Sequence, residues 1–305
     1  MMKTMISTSP KIILQASPDW RDYELIDSGS GYKLERYGKY ILKRPEPEAV
    51  WKPALPEKTW KDIHAFFRPA PEENGGHWET VRPIDGRWMM TYKGLKFWTQ
   101  LSGSRHLGVF PEQAGQWDWI SKQVQQAGRP IKVLNLFGYT GLATLAAVAA
   151  GASVTHVDAS RKVITWGREN QALSDLADRP VRWILDDALK FIQREARRGS
   201  FYDGLILDPP KFGRGPKGEV WEFYNLLPRL LEGCRQVLSP QPCFVLLTAY
   251  AVKASSVTLY HAIDEIMQKF QGHTEAGEVV LQEKSAGRLL SMAVFGRWSS
   301  QPAND

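Results

Sequence analysis

Hydrophobic and polar positions in the second half of the chain fall into a repeating order. Short apolar runs stand at 133–137, 154–157, 181–185, 204–207 and 243–248, each suited to a buried parallel strand. Between them, 142–150, 161–173, 188–198 and 219–238 have helical spacing, the first rich in Ala and Leu. Strand–helix–strand units of this length cross over right-handed and share a parallel sheet. A further helix is predicted at 252–270, then strands at 277–284 and 289–298. The link at 285–288 is too short for a helix, so these last strands form an antiparallel hairpin. The pattern predicts an α/β fold: five parallel strands with helices on both faces, plus a C-terminal antiparallel hairpin.

The first half has another rhythm. Residues 11–50 read as a small all-β unit, with a Ser28–Gly31 turn and alternation on either side. Pro45, Pro47, Pro53 and Pro56 make an extended connector. Residues 57–67 have helical spacing, 69–76 form a Pro/Glu/Asn/Gly loop, and 78–102 read as strands with turns at Asp85-Gly86 and Lys93-Gly94. In RHLGVFPEQ (105–113), Pro111 suits the first turn of a helix and Glu112 its positive end; 117–126 continues that helix. Eight of the twelve tryptophans precede residue 131, so the halves differ in character. The expected organisation is a β-rich N-terminal module at 1–104, a Rossmann-like domain at 105–299 and a tail at 300–305. The Ser/Thr-rich start at 1–10 is expected to fray.

With 305 residues the chain can bury a sizeable core. No apolar run is long enough to span a membrane and no signal peptide is visible, which points to a cytoplasmic protein. Cys234 and Cys243 make neither a disulfide framework nor a metal cluster, so no metal is expected. A net charge of +6 is compatible with an RNA partner and equally with a soluble surface. Residues 32–44 (YKLERYGKYILKR) carry five basic residues, one acid and three tyrosines. Such a stretch can meet phosphates and stack on unpaired bases, or guard an exposed sheet edge.

Candidate chemistry gathers at the strand ends. After the first strand of the α/β half comes Gly138-Tyr139-Thr140-Gly141, which lacks the paired glycines of a dinucleotide site. Asp158 ends the next strand, 17 residues past Gly141, near the spacing at which an acid accepts from ribose hydroxyls. A ligand with a ribose and no phosphates fits, such as S-adenosylmethionine (SAM); a plain crossover with a capping Asp gives the same pattern. Asp187, or its neighbour Asp186, stands at the third strand end. It could accept from an adenine amine, and before Ala188 it reads equally as a helix N-cap.

The sharpest signal is Asp208-Pro209-Pro210-Lys211-Phe212 at the fourth strand end. Two prolines hold the backbone extended and remove two N–H donors, leaving the Asp208 carboxylate and the proline carbonyls as acceptors. Such a tip can draw on the N–H groups of a planar amine and free its lone pair for attack. Phe212 could cover the ring that bears the amine. Glycine-rich 213–218 is basic and could close over substrate. A proline-terminated strand is the bland alternative.

FGYTG (137–141), the strand-end Asp158 and DPPKF (208–212) together resemble class I SAM-dependent methyltransferases. The similarity is closer to the bacterial subfamily that includes large-subunit ribosomal RNA methyltransferases, on RHLGVFPEQ and Gly75-Gly76-His77-Trp78, and it covers 75–298. The resemblance implies a Rossmann-like fold with SAM as cofactor. It implies that RHLGVFPEQ packs over the pocket, with Phe110 and Gln113 touching the cofactor. The remaining expected cofactor contacts are Asn135, Phe137, Gly138, Tyr139, Thr140 and Gly141 around the turn, and Asp158, Ala159, Ser160, Asp186, Asp187 and Ala188 at the next strand ends. Asp208, Pro209, Pro210 and Phe212 are the expected catalytic group, with Lys211, Arg214, Lys217 and Arg105 toward substrate.

Relatives that methylate cytosine carbon-5 carry a cysteine at the end of the fifth strand, because carbon methylation needs a nucleophile. Here that strand ends Thr248-Ala249-Tyr250, which favours a nitrogen target. The expected function is transfer of a methyl group to a base nitrogen of RNA, with ribosomal RNA foremost. The alternatives are a protein amide or small molecule as acceptor, or an RNA-binding assembly factor that keeps the pocket without turnover.

Overall fold

The computed structural model describes residues 10–16, 20–70 and 75–301. Of the start expected to fray, 1–10, residues 1–9 lie outside the described residues, as do 17–19, 71–74 and 302–305. The chain opens with strand β1 (Ile12–Ala16), then β2 (Tyr23–Gly29), β3 (Tyr32–Tyr37), β4 (Tyr40–Pro45), helix α1 (Glu57–Lys61), β5 (Ala65–Pro69) and β6 (Gly76–Thr80). A ribbon of β7 (Trp88–Tyr92) and β8 (Leu95–Thr99) leads to helix α2 (Ala114–Gln126). The α/β half is β9 (Lys132–Leu136), α3 (Leu142–Ala149), β10 (Ser153–Asp158), α4 (Arg161–Leu173), β11 (Val181–Leu185), α5 (Ala188–Arg197) and β12 (Gly204–Leu207). It continues with a small hairpin, β13 (Phe212–Arg214) and β14 (Val220–Glu222), then α6 (Phe223–Val237), β15 (Phe244–Ala249), α7 (Ser256–Met267), β16 (His273–Gln282) and β17 (Leu289–Ser299).

Eight strands form the main sheet, in the order β1-β16-β17-β15-β12-β9-β10-β11. The five from β15 to β11 are parallel, and β17 runs antiparallel between β15 and β16. Alternate residues of these strands feed two cores, as the two-residue period of a strand requires. Val133, Ile206 and Leu246 join the core under α2 and α3. Leu134, Leu205, Leu207, Val245 and Leu247 join the core under α5, α6 and α7. Chain order reverses beside β9: β10 and β11 lie on one side, β12 and β15 on the other. That switch opens a crevice at the carboxyl ends of β9 and β12.

The expected sheet is therefore present, with an eighth strand that comes from the N-terminal stretch. Strand β1 pairs parallel with β16. Its approach depends on Gly277, where a Cβ would stand 1.8 Å from the Ile13 carbonyl oxygen. Its short length and lone position carry no hairpin partner that would have revealed this pairing.

The β-rich module is a five-stranded sheet, β2-β3-β4-β5-β6. The helix expected over 57–67 stops at Lys61. Asp62 leaves the helical region (φ −85°, ψ 61°), and Ala65-Phe66-Phe67 pair with β4 and β6 instead. Aromatic side chains suit a half-buried sheet face better than a short exposed helix. The helix expected from 219 starts at Phe223, because Val220–Glu222 pairs with Phe212–Arg214. Neither reading of 32–44 describes its inward face: Lys33, Glu35, Tyr37, Leu42 and Arg44 are buried. Arg44 donates from Nε and Nη2 to the two Glu35 carboxylate oxygens at 2.6 and 2.7 Å, and Lys33 lies 3.1 Å from Glu46. Burial alone would raise the Glu35 carboxyl, but Arg44 and Lys33 outweigh it and hold it at about 2. No helix among the described residues is long and apolar enough to cross a membrane.

Candidate active site

The crevice is built on a contorted turn. After β9, Phe137 (φ 59°), Tyr139 (φ 51°) and Gly141 (φ 87°) take left-handed backbone conformations, alternating with Gly138 and Thr140. Aromatic residues rarely adopt that region, so the surroundings must enforce it. The enforcing bonds are identifiable. Gly138 N donates to Val157 O (3.1 Å), Tyr139 N to Asp158 Oδ2 (3.0 Å) and Thr140 Oγ1 to Gly108 O (2.6 Å). Asn170 Nδ2 holds the Thr140 carbonyl at 3.1 Å. The buried His156 ring fills the space below Gly138; burial pushes it down to about 3, so it is neutral.

This turn forms one wall of a cleft that is open to solvent on one side. Asn135, Phe137, Gly138, Tyr139, Thr140 and Gly141 all line it. Phe110 and Gln113 line the facing wall, and Asp208 the far end. Sequence reasoning missed Gln116, Trp117 and Ile120, which share the cleft-facing side of α2 with Gln113. The available signal was a glutamine on the apolar side of an amphipathic helix. Gln116 is 1% exposed; its Oε1 accepts from Arg297 at 3.1 Å, while its Nε2 has no partner. A buried amide donor of this kind calls for a ligand acceptor.

The other strand-end residues are placed less directly. Both Asp158 oxygens accept backbone N–H bonds, Oδ2 from Tyr139 and Oδ1 from Ser160 (2.9 Å), so it stands behind the turn rather than in the cleft wall. Burial raises its carboxyl in spite of those donors. Ser160 caps α4 through Val163 N. Ala159, between them, is half-buried. Asp187 caps α5, accepting from Lys190 N at 2.8 Å, and Asp186 pairs with Arg194. Ala188 is packed in the core under α5.

At the Asp208 corner, burial and then the negative charge of Glu112 push the Asp208 carboxyl up to about 7. Pro209 is buried and Pro210 exposed. The expectation of two free proline carbonyls needs correction: Pro210 O accepts from Trp221 Nε1 at 2.7 Å. That bond anchors the β13–β14 hairpin, whose turn at 215–219 is closed by Gly215 N donating to Glu219 O at 2.8 Å. Phe212 is on the hairpin's outer face, 57% exposed, outside the cleft wall. Lys211, Arg214 and Lys217 are exposed around it. Arg105 donates from Nη2 to the Tyr250 hydroxyl at 3.2 Å. Cys234 and Cys243 are buried and free, and burial raises both thiols.

A family model for S-adenosylmethionine-dependent methyltransferases matches residues 49–247. The chain belongs to this family. A crystal structure of the SAM-dependent methyltransferase from Agrobacterium tumefaciens is 44% identical, with a TM-score of 0.90, over 96% of this chain and 97% of that one. The ribosomal RNA large subunit methyltransferase K/L of Shewanella sp. (strain ANA-3) is 32% identical over 193 residues, 59% of this chain and 26% of that protein. The ribosomal RNA large subunit methyltransferase K of Neisseria meningitidis serogroup B is 25% identical over 224 residues, 69% and 61% of the two chains. The chain thus spans about a quarter of the length of the K/L relative and under two thirds of the K relative. The methyltransferase cofactor is SAM, and the cleft fits it chemically: an orphaned amide donor, a turn rich in backbone groups, and apolar walls from Phe110, Ile120 and Leu246.

Proposed function

We propose that this methyltransferase modifies a base nitrogen of RNA, ribosomal RNA foremost, in the cytoplasm. The observation that carries the reading is the Asp208 corner. A carboxylate at a strand end lines the cofactor cleft, a proline follows it, and no cysteine stands at the end of β15. Asp208, once ionised, and the Pro209 carbonyl offer acceptors, which suits an amine that must be oriented and relieved of a proton. The cofactor, when bound, supplies a methyl group on a sulfonium. Asp208 would hold the acceptor's N–H toward the cleft and take up its proton as the nitrogen gains the methyl group. Positioning supplies most of the acceleration in such an in-line displacement.

Support for RNA comes from the names of the relatives, the net charge of +6 and the basic, aromatic hairpin beside the corner. In this reading 1–104 contributes to acceptor binding and 105–299 holds the methyl donor and the reacting atoms. Asn135 to Gly141, Phe110, Gln113 and Gln116 would hold the cofactor directly. Asp158, Ala159 and Ser160 would act at the ribose, and Asp186, Asp187 and Ala188 at the adenine side.

Mass spectrometry of RNA nucleosides from cells with and without the gene tests the acceptor: one methylated base disappears with the gene. Asp208→Ala should slow transfer at least 100-fold while the affinity for S-adenosylhomocysteine stays within a few-fold. Equal loss of both would assign Asp208 to the cofactor.

A further inference from the structure

Residues 32–44 have an outward face that the cofactor cleft does not use. It is carried by β3, β4 and β5, the three central strands of the N-terminal sheet. Lys43 of β4 stands opposite Phe66 of β5, and Tyr32 of β3 stands opposite Pro45, two residues along β4. Leu34, on the same face, is covered by Trp60 of α1 and by Ile63. Tyr32 is 37% exposed, and beside it lies an open groove with about 270 Å³ of room, lined by Tyr32, Lys43, Phe66 and Arg68 among others. One water needs only about 10–15 Å³.

The groove sets cations against rings. Lys43 Nζ is 4.3 Å from the centre of the Tyr32 ring and 5.7 Å from that of Trp60; the Arg68 guanidinium is 4.8 Å from that of Phe66. Arg68 is matched by Glu79. Lys43 is half-buried, and among the described residues no carboxylate pairs with it; burial alone pushes its ammonium down. A lysine on an edge strand keeps other sheets away. Strand β4 is flanked on both sides, so that role is closed to Lys43. The rings offset part of its desolvation and leave the charge without an anion. An unpaired nucleotide brings an anion and a flat apolar face in one unit, which is what the groove lacks. The groove also leads toward the reacting corner. Pro45, opposite Tyr32, stands beside Arg105 and Tyr250, and Tyr250 follows the end of β15.

We propose that this outer face of the N-terminal sheet binds a single-stranded stretch of the RNA, with Lys43 on a phosphate and with Tyr32 and Phe66 stacked on unpaired bases. The inference rests on the RNA reading and adds a contact away from the methylated nucleotide. It selects single strands over duplexes, because paired and stacked bases keep their faces from the rings.

The test titrates a fluorescein-labelled single-stranded RNA of mixed sequence, and a duplex of the same length, with the full chain at several salt concentrations. Wild type should bind the single strand more tightly. Tyr32→Ala should weaken single-strand binding about 5- to 100-fold and leave the salt dependence unchanged, because one stacked base is lost. Lys43→Met keeps the apolar stem and removes the charge. It should weaken binding and make the slope of log K against log salt shallower by about 0.7, the share of one phosphate on a single strand. Lys43→Arg should restore the slope. Affinity for S-adenosylhomocysteine and melting temperature, measured for each variant, should stay at wild-type values, while KM for RNA rises in the first two. Wild-type affinity and slope in both Tyr32→Ala and Lys43→Met overturn the proposal, as does a duplex bound as tightly as the single strand. Should Tyr32→Ala melt early, Lys43→Met decides: an unchanged slope in a stable protein overturns the proposal. The RNA reading is tested apart from this, with labelled SAM and lysate from cells lacking the gene. Label in protein or small molecules overturns RNA as the methyl acceptor, whatever the groove binds.

Discussion

Gly138 has no side chain because His156 occupies the space where one would be. A Cβ there would lie 2.3 Å from the ring. Gly138→Ala should therefore cost roughly 1–3 kcal/mol in urea unfolding and weaken cofactor binding, because the turn that lines the cleft must move. Adding His156→Ala should return part of that loss; a strictly additive double variant would show that the two residues do not compete for space. Asp208 bears on stability in a different way. Its folded carboxyl, at about 7, lies above its unfolded value near 4, so the folded state holds the proton more tightly. Stability is full below pH 4 for this group and declines as pH rises toward 7. Asp208→Asn removes the decline. The variant should gain roughly 1–4 kcal/mol over wild type at pH 7.5, and much less at pH 4.5, while losing transfer. Equal urea midpoints for the two proteins at pH 7.5 would mean that the Asp208 carboxylate ionises at no cost.

At the scale of elements, the α/β half was legible and the β-rich half only in outline. Strands β9 to β12 and β15 follow from uninterrupted apolar runs bounded by acids and glycines, and the hairpin of β16 and β17 from the length of its link. What the pattern could not carry were pairings between distant segments. Strand β1 joins β16 across nearly the whole chain, and Ala65-Phe66-Phe67 becomes a strand only because β4 and β6 flank it. The site divides the same way. The FGYTG turn and Asp208 are local motifs, and both line the cleft. Gln116 acquires meaning only when α2 meets the sheet. The left-handed Phe137 and Tyr139 run against the preference of their residue type. The β13–β14 hairpin does not show in the pattern because its strands have three residues each and depend on Trp221 for anchorage. With Phe212, Val220 and Tyr224 exposed beside Lys211, Arg214 and Lys217, it has the composition of an RNA contact. Replacing the three cations by Ala should weaken RNA binding for every sequence alike and make the slope of log K against log salt shallower by about 2. An unchanged slope would place the RNA elsewhere.

The whole molecule is more closely joined than a binding module on a tether. Trp20, Tyr23, Tyr37, Leu42, Trp88 and Phe97 from the N-terminal part lie in one buried cluster with Trp117, Val133, Phe244 and Phe295. Trp117 takes the edges of Trp20 and Tyr92 at 5.9 and 5.6 Å. The turn between β16 and β17 is tied to β2, by Ser28 Oγ to Glu283 Oε2 (2.6 Å) and Lys284 N to Leu25 O (2.8 Å). Lys33 of β3 and Arg44 of β4 also stand beside Arg105, Phe110 and Tyr250 of the α/β half. A division of labour near residue 104 is therefore not a division into folding units. Uncovering one large apolar side chain costs about 1.5–3 kcal/mol, and a whole domain is stable by only about 5–15 kcal/mol. Removing 1–104 uncovers the partners of at least six such residues, about 9–18 kcal/mol, which is as large as that margin. A fragment of residues 105–305 should then lack a cooperative melting transition, bind the dye ANS and fail to bind S-adenosylhomocysteine, whereas the full chain should melt in one step. A fragment that melts cooperatively and binds the cofactor as tightly as the full chain would show that the shared core is a docking surface between two independent domains.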